Sequence, residues 1–178
     1  MFVDSILQLS NAQAITTSAA STVIYDITGA GSGNAPSQVY GINPSTGAAV
    51  SPGADIGTGD GCAIPYVVFN ITTTGTGTGT VAFAIQAAPD NGSNSPSTYV
   101  TLSNSNAFVG TTLLKGNQIA LPIPPFAQIA PGMGLPRFYR AYYTQTGNGA
   151  VSVTANIVLN PALGYVSTQL PPNYVATL

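Results

Sequence analysis

The sequence predicts an all-β protein: an antiparallel β-sandwich or jelly roll with long loops and an inserted loop region. In several short segments apolar side chains recur at every second position, which is the period of a half-buried strand. Turn-forming residues separate these segments, and the 178 residues include 20 Gly and 14 Pro. No long segment shows the apolar period of an amphipathic helix, so little helix is expected.

Six segments are predicted to be strands because apolar and polar positions alternate along them or because β-branched and aromatic residues fill them. In 80–87, for example, Phe83 and Ile85 would face the core and Gln86 the opposite side. The six segments are 21–28, 65–72, 80–87, 97–102, 137–144 and 151–159. The residues expected on buried faces are Phe83, Ile85, Tyr139, Tyr143, Val153 and Ile157, and those expected on outward faces are Gln86 and Asn156.

Three segments rich in glycine or proline are predicted to connect or flank these strands. The GNG sequence at 147–149 separates two strong strands and is typical of a tight hairpin. The glycines of TGTGTGT at 74–80 could suggest a phosphate-binding loop, but no Lys follows and no helix begins after them, so a flexible hairpin connection is predicted. In IALPIPP at 119–125 the prolines lack the N–H groups that a central strand needs, which predicts an extended edge segment.

The chain is expected to form a single domain, 1–178, because its length fits one core. An N-terminal arm at 1–20, an inserted loop region at 29–60 without a clear strand, and an extended C-terminal tail at 160–178 would flank the sandwich. The arm is too apolar to be left in solvent, so we expect it to pack on the sandwich or on a neighbouring subunit. The sequence predicts neither a signal peptide nor a membrane span.

Charge is scarce in this chain. It contains five Asp, no Glu, two Arg, one Lys and no His, so 4% of the residues are charged, against about 25% in an average domain. Without His, imidazole cannot act as base or metal ligand, and scattered Asp residues make a paired-carboxylate hydrolase improbable. Three cations cannot neutralise a run of phosphates, so nucleic-acid binding is not expected. The sequence therefore predicts no enzyme activity and no cofactor.

Two loops, 55–60 and 90–94, carry side-chain oxygens at a spacing that resembles calcium loops. Both lack the further carboxylates and the bidentate Glu of a complete calcium loop, so they are interpreted as turns and no metal site is predicted. Lys115 is interpreted as an ordinary loop residue. Cys62 is the single cysteine and cannot form an intrachain disulfide.

A surface with so few ions can be covered by another protein at little desolvation cost, because Thr, Ser, Asn and Gln form neutral hydrogen bonds across an interface. The composition therefore favours a protein that stays packed against copies of itself or against another protein. Each Arg could donate a hydrogen bond across such an interface or be an ordinary solvated strand residue. The interface candidates are Phe2, Val3, Ile6, Leu7, Leu9, Arg137, Arg140 and Tyr174.

Five sequence blocks stand in this order: LQLSNAQAITTSAASTVIYDI (7–27), ADIGTGDGCAIPYVVFNI (54–71), VAFAIQAAPDNGSNSPSTYVTL (81–102), LKGNQIALPIPP (114–125) and RFYRAYYTQTGNGAVSVTANIVL (137–159). Together they resemble the jelly-roll capsid cement, or decoration, proteins of tailed phages. The first block and the RFYRAYY sequence are the most specific parts of the resemblance. The chain departs from that family at 29–52, which looks inserted, and in its extended tail, so capsid contacts are not carried over.

The resemblance implies a structural virion protein on the outer capsid surface, made in the host cytoplasm and bound to the major capsid protein of an HK97-type shell. It further implies a dimer or other small homo-oligomer that ties neighbouring capsomers together, with no catalysis and no nucleic-acid or membrane partner. An alternative is a phage surface adhesin, or another structural virion protein, that binds a host receptor or glycan. Aromatic side chains on exposed loops would favour the adhesin, and the chain has no Trp.

Overall fold

The computed structural model describes residues 7–27, 41–42, 49–50, 65–124 and 136–158. Within these ranges the regular secondary structure is almost entirely β-strand, with a short 3-10 helix at Gly110–Thr112 and no helix long and apolar enough to cross a membrane. The strands are β1 (Gln8–Ile15), β2 (Ala19–Ala20), β3 (Tyr25–Asp26), β4 (Gly41–Ile42), β5 (Ala49–Val50), β6 (Tyr66–Thr76), β7 (Thr80–Ala88), β8 (Val100–Asn104), β9 (Phe108–Val109), β10 (Gln118–Pro122), β11 (Phe138–Thr146) and β12 (Ala150–Val158).

Two antiparallel sheets form the sandwich, and β4 and β5 form a separate small ladder. Sheet A has the order β1-β12-β6-β10, and sheet B has the order β2-β11-β7-β8, with β3 also pairing β11 and β9 also pairing β7. The sandwich has eight strands if the β4–β5 ladder is left out and if β2 with β3, and β8 with β9, are each counted as one interrupted strand. Numbered along the chain, these eight strands have the order 1-8-3-6 in sheet A and 2-7-4-5 in sheet B. This is the strand order of a jelly roll. The predicted all-β antiparallel sandwich is confirmed.

The core lies between the two sheets and is built by the predicted alternation. All six residues expected to be buried are buried, and Phe83 is 0% exposed. Its ring lies 5.2 Å from that of Phe69 in sheet A and 6.0 Å from that of Tyr143 in sheet B. The Tyr143 hydroxyl shares a 2.8 Å hydrogen bond with Ser10 Oγ, and burial raises the pKa of Tyr143 well above its ordinary value. One aromatic cluster therefore joins the sheets.

Residues 7–20 of the N-terminal arm predicted at 1–20 pack on the sandwich, as expected, but they do so as strands of its sheets and not as a flanking arm. Gln8–Ile15 is β1, an edge strand of sheet A that pairs with β12, and Leu9 and Ile15 belong to the core. The register shifts twice along β1, and Ala12 has a φ of 46°. Polar residues and this bulged register break the apolar alternation, which is why the pattern of the sequence did not predict a strand.

The two glycine-rich turns are arches between sheets, so the predicted hairpins are wrong. The turn at 147–149 joins β11 to β12, and 77–79 joins β6 to β7, but the strands of each pair lie in different sheets. Gly77 and Gly147 have φ values of 79° and 64°, which favour glycine. The same turn residues occur in hairpins and in arches, because they determine only the local backbone conformation. The sheet that the next strand joins depends on contacts elsewhere in the chain.

Asn148 holds the two arches together. Its side-chain Oδ1 accepts hydrogen bonds from the backbone N–H groups of Thr78 at 3.1 Å and Gly79 at 2.9 Å. We expect Asn148→Ala to lower the free energy of unfolding by about 1–2 kcal/mol, because two backbone donors lose their acceptor. Urea denaturation measures this, with Asn106→Ala at an exposed position as the control. Equal stability of the two variants would contradict this role of Asn148.

Three other expectations are settled by the strand assignment. The segment 119–125 contains β10, which pairs only with β6 among the described strands and ends at Pro122, so the predicted edge position is confirmed. The segment predicted at 21–28 forms only the short β3. The region 29–60, expected to lack strands, contains the β4–β5 ladder, whose two-residue strands are too short to show an alternating pattern.

Asn156 lies on the outward face of β12, as predicted, but it is not exposed there. It points away from the core face, yet it is only 3% exposed, and among the described residues its Oδ1 has no hydrogen-bond partner. Val68, its neighbour in register on β6, is also buried. The outward face of sheet A is therefore shielded from solvent at Asn156 and Val68, which the alternation of the sequence alone could not predict.

Candidate interaction surface

The charged side chains within the described ranges are few and unevenly used. They are Asp26, Asp90, Lys115, Arg137 and Arg140. Asp26, Asp90 and Arg137 form one charge cluster where β3 and the loop after β7 meet the start of β11. These three charged side chains contact one another. Lys115 and Arg140 are the described charged residues that do not belong to the cluster.

Most N–H donors of Arg137 are engaged by partners from its own chain. Its Nε and Nη2 donate to the two oxygens of Asp26 at 2.9 and 3.0 Å, while Nη1 donates to the Asp90 carboxylate and to Asn94 Oδ1. The hydrogen bonding with Asp26 is the largest effect that raises the pKa of Arg137. The Asp26 side chain is 0% exposed and that of Arg137 is 12% exposed. This arrangement stabilises the fold and leaves Arg137 little capacity for an external partner.

The loop at 90–94 uses its side-chain oxygens to hold itself and Arg137. Asp90 Oδ1 accepts from the backbone N–H of Gly92 at 3.0 Å, and Asn91 Oδ1 accepts from that of Ser93 at 2.8 Å. These are the local bonds of Asx turns, so the interpretation of this loop as a turn is confirmed. In the described part of the chain no group of three potential metal-ligating His, Cys, Asp or Glu side chains is present. The loop at 55–60 and Cys62 lie outside the described residues.

Arg140 lies on the outward face of sheet B. Its guanidinium carbon is 3.6 Å from the centre of the Tyr99 ring and 5.5 Å from that of Tyr142. Its Nε donates to Gln86 Oε1 at 2.9 Å, and Gln86 in turn donates to Thr101 Oγ1 at 3.4 Å. We call these five residues the arginine–tyrosine face. Its members are one cation and four neutral side chains with hydrogen-bonding groups, and none of them is acidic.

Burial and charge act in opposite directions on Tyr99. Burial raises the pKa of its hydroxyl, and the neighbouring Arg140 charge lowers it by a smaller amount. The hydroxyl oxygen is buried and has no hydrogen-bond partner in the described part of the chain. Tyr99 therefore presents its ring to Arg140, while its hydroxyl is left unsatisfied by the described residues.

The family model Bbp16 matches residues 9–157, a range that begins in β1 and ends in β12. The chain belongs to the Bbp16 family. The match covers the whole sandwich and points to a phage-related protein. No curated protein matches the chain.

The interface candidates take different places in this Bbp16-family protein. Leu9 is 1% exposed in the core, which corrects its prediction as an interface residue, and Leu7 packs against the same core. Arg137 belongs to the charge cluster and Arg140 to the arginine–tyrosine face. Phe2, Val3, Ile6 and Tyr174 lie outside the described residues. Lys115 lies in an exposed turn, as expected.

Three members of the arginine–tyrosine face, Tyr99, Thr101 and Tyr142, were missed by sequence reasoning. Tyr142 could have been found, because in RFYRAYYT it stands two positions after Arg140 and so shares its side of the strand. Tyr99 could not, because its contact with Arg140 depends on the pairing of β8 and β11 with β7. The face is therefore a product of the sheet order.

Proposed function

We propose that this Bbp16-family protein is a capsid cement, or decoration, protein without enzymatic activity. It binds the outer face of an HK97-type phage shell, contacts the major capsid protein and stabilises contacts between capsomers as a dimer or other small oligomer. The family match, the jelly-roll strand order and the resemblance of five sequence blocks support this proposal. The observation that carries it is the nearly ion-free exterior of the described sandwich.

The physical reason is the low cost of covering such a surface. A charge that is buried on association loses its hydration, whereas a neutral hydroxyl or amide exchanges one hydrogen bond for another. A standard interface of about 800 Å² per partner would cover about one charge of this chain. Asp26 and Arg137 already satisfy one another and have side chains that are 0% and 12% exposed, so covering them costs little hydration. A protein of this kind suits permanent contact better than transient exchange.

The direct test is decoration of shells. Full-length protein is mixed with undecorated shells of a phage that encodes it, the shells are sedimented, and the bound protein is quantified and located by electron microscopy. We expect many copies per shell, in proportion to the capsomers. Copy numbers typical of a tail fibre, together with density on the tail, would instead favour the adhesin. Failure to bind shells at any protein concentration would refute the cement function.

Binding of this kind should also resist salt. Ion pairs at a surface weaken as the Debye length falls from about 10 Å at 0.1 M to about 3 Å at 1 M salt, but apolar contacts and neutral hydrogen bonds persist. We expect the protein to stay on shells from about 0.1 to about 1 M NaCl and to be released first by urea or guanidinium. Sedimentation of decorated shells across both series measures this. Substantial release by NaCl alone would contradict an interface that depends on neutral contacts.

A further inference from the structure

Arg140 is held firmly, yet its hydrogen-bonding capacity is only partly used. The Tyr99 ring lies against its guanidinium, and Gln86 accepts from its Nε. Among the described residues nothing accepts from its terminal nitrogens, Nη1 and Nη2. In Arg137, by contrast, all three nitrogens donate to side chains of the same chain. The two arginines, equivalent as candidates in the sequence, are therefore unlike in the structure.

We propose that Arg140 is the anchor of a binding site for a carboxylate side chain of the partner protein. This inference rests on the proposed function and specifies one contact of the same interface. A guanidinium presents its N–H donors in a planar fork that matches the two oxygens of a carboxylate. Stacking on Tyr99 and the bond to Gln86 fix the plane of this fork before binding, so little side-chain freedom is lost when the contact forms.

The charges of the described residues favour an acid on a different protein. Both acidic residues in the described ranges, Asp26 and Asp90, are engaged by Arg137, so the described part of a second copy offers no unengaged carboxylate to Arg140. A phosphate-rich polymer is a poor match, because the arginine–tyrosine face holds one cation. A single carboxylate complements this face in both charge and shape. On the proposed function, that carboxylate belongs to the shell. A single ion pair covered by an otherwise neutral interface is screened much less than an exposed pair, so binding through it still resists salt.

The test compares variants of the full-length protein in their affinity for undecorated shells at about 0.1 M NaCl. Arg140→Gln removes the charge, and Arg140→Lys keeps the charge but loses the planar fork. Lys115→Gln is the matched control, because it removes the same charge from an exposed turn outside the face. We expect both Arg140 variants to bind about 10- to 100-fold more weakly, since hydrogen bonds to charged groups contribute that much to affinity. Lys115→Gln should bind like the wild type.

A second arm identifies the chemistry on the shell. Shells treated with carbodiimide and an amine carry amides in place of accessible carboxylates. We expect the treatment to weaken the wild type to the level of Arg140→Gln and to weaken that variant little further. Equal weakening of both proteins would overturn the proposal, because the blocked acids would not be those that meet Arg140.

The outcomes separate this proposal from the proposed function. Wild-type affinity in Arg140→Gln would overturn the carboxylate site and leave the cement function standing, whereas absence of wild-type binding would overturn both. Sedimentation velocity without shells tests the contact between copies, and dissociation of an oligomer by Arg140→Gln would assign the residue to that contact and overturn the proposal. Thermal unfolding of each variant checks that the sandwich is intact. Because Arg140→Lys keeps the charge and most of the side chain, it remains the informative variant if Arg140→Gln unfolds.

Discussion

Truncation of Phe83 to Ala is expected to lower the free energy of unfolding by about 3–5 kcal/mol, which is a large share of the total stability of a typical domain. The ring is fully buried between the sheets, with Phe69, Tyr143 and Phe108 at 5.2, 6.0 and 6.2 Å between ring centres. Alanine would leave a cavity that strands of two hydrogen-bonded sheets cannot close by a local shift. Urea denaturation of the isolated protein measures the loss.

Thr144→Ala is a suitable control for Phe83→Ala, because Thr144 is exposed on β11 and is expected to change stability by no more than about 0.5 kcal/mol. Phe83→Leu should fall between the two variants, since it retains part of the buried volume. Similar losses for Phe83→Ala and Thr144→Ala would mean that the two sheets do not pack around this ring.

Replacement of Arg137 by Gln should be comparably severe. The variant leaves the fully buried Asp26 carboxylate without its cation, and breaking a buried pair in this way costs about 3–5 kcal/mol. Adding Asp26→Asn to Arg137→Gln should recover part of the loss, because the double variant no longer buries an uncompensated charge. Chemical denaturation of the single and double variants measures both effects. If the double variant loses as much free energy of unfolding as the two single variants lose together, the two charges do not depend on each other.

The sequence predicted the strands whose alternation is long. In β7 and β12 four successive core positions alternate with outward ones, and this repetition identifies both the strand and its buried face. Prediction from alternation failed for β1, where Ser10, Asn11 and Gln13 interrupt the apolar pattern around a bulge. It also failed at the arches, because residues 147–149 look alike whether the next strand pairs with the previous one or crosses to the other sheet.

The interaction surface was predictable only in outline. Scarce charge indicated a surface suited to permanent contact, and both Arg137 and Arg140 were candidates for it. Which of the two is available depends on contacts between distant segments: Asp26 lies 111 residues before Arg137 in the chain, and the Tyr99 ring meets Arg140 through the order of sheet B. Leu9 shows the same limit, because an apolar residue in an irregular segment is equally compatible with a core and with an interface.

The place of β12 in the middle of sheet A has a consequence for synthesis on the ribosome. Its neighbours are β1 and β6. β1, the first described strand, therefore cannot form its ladder until β12, the last one, has been synthesised. Closing so long a stretch of chain is a late and entropically costly step, and a nascent polypeptide meanwhile exposes the unpaired edge of β6. Chains that stop before Ala150 cannot complete the sandwich and are open to proteases and to aggregation. The topology thereby allows only chains that contain β12 to complete sheet A.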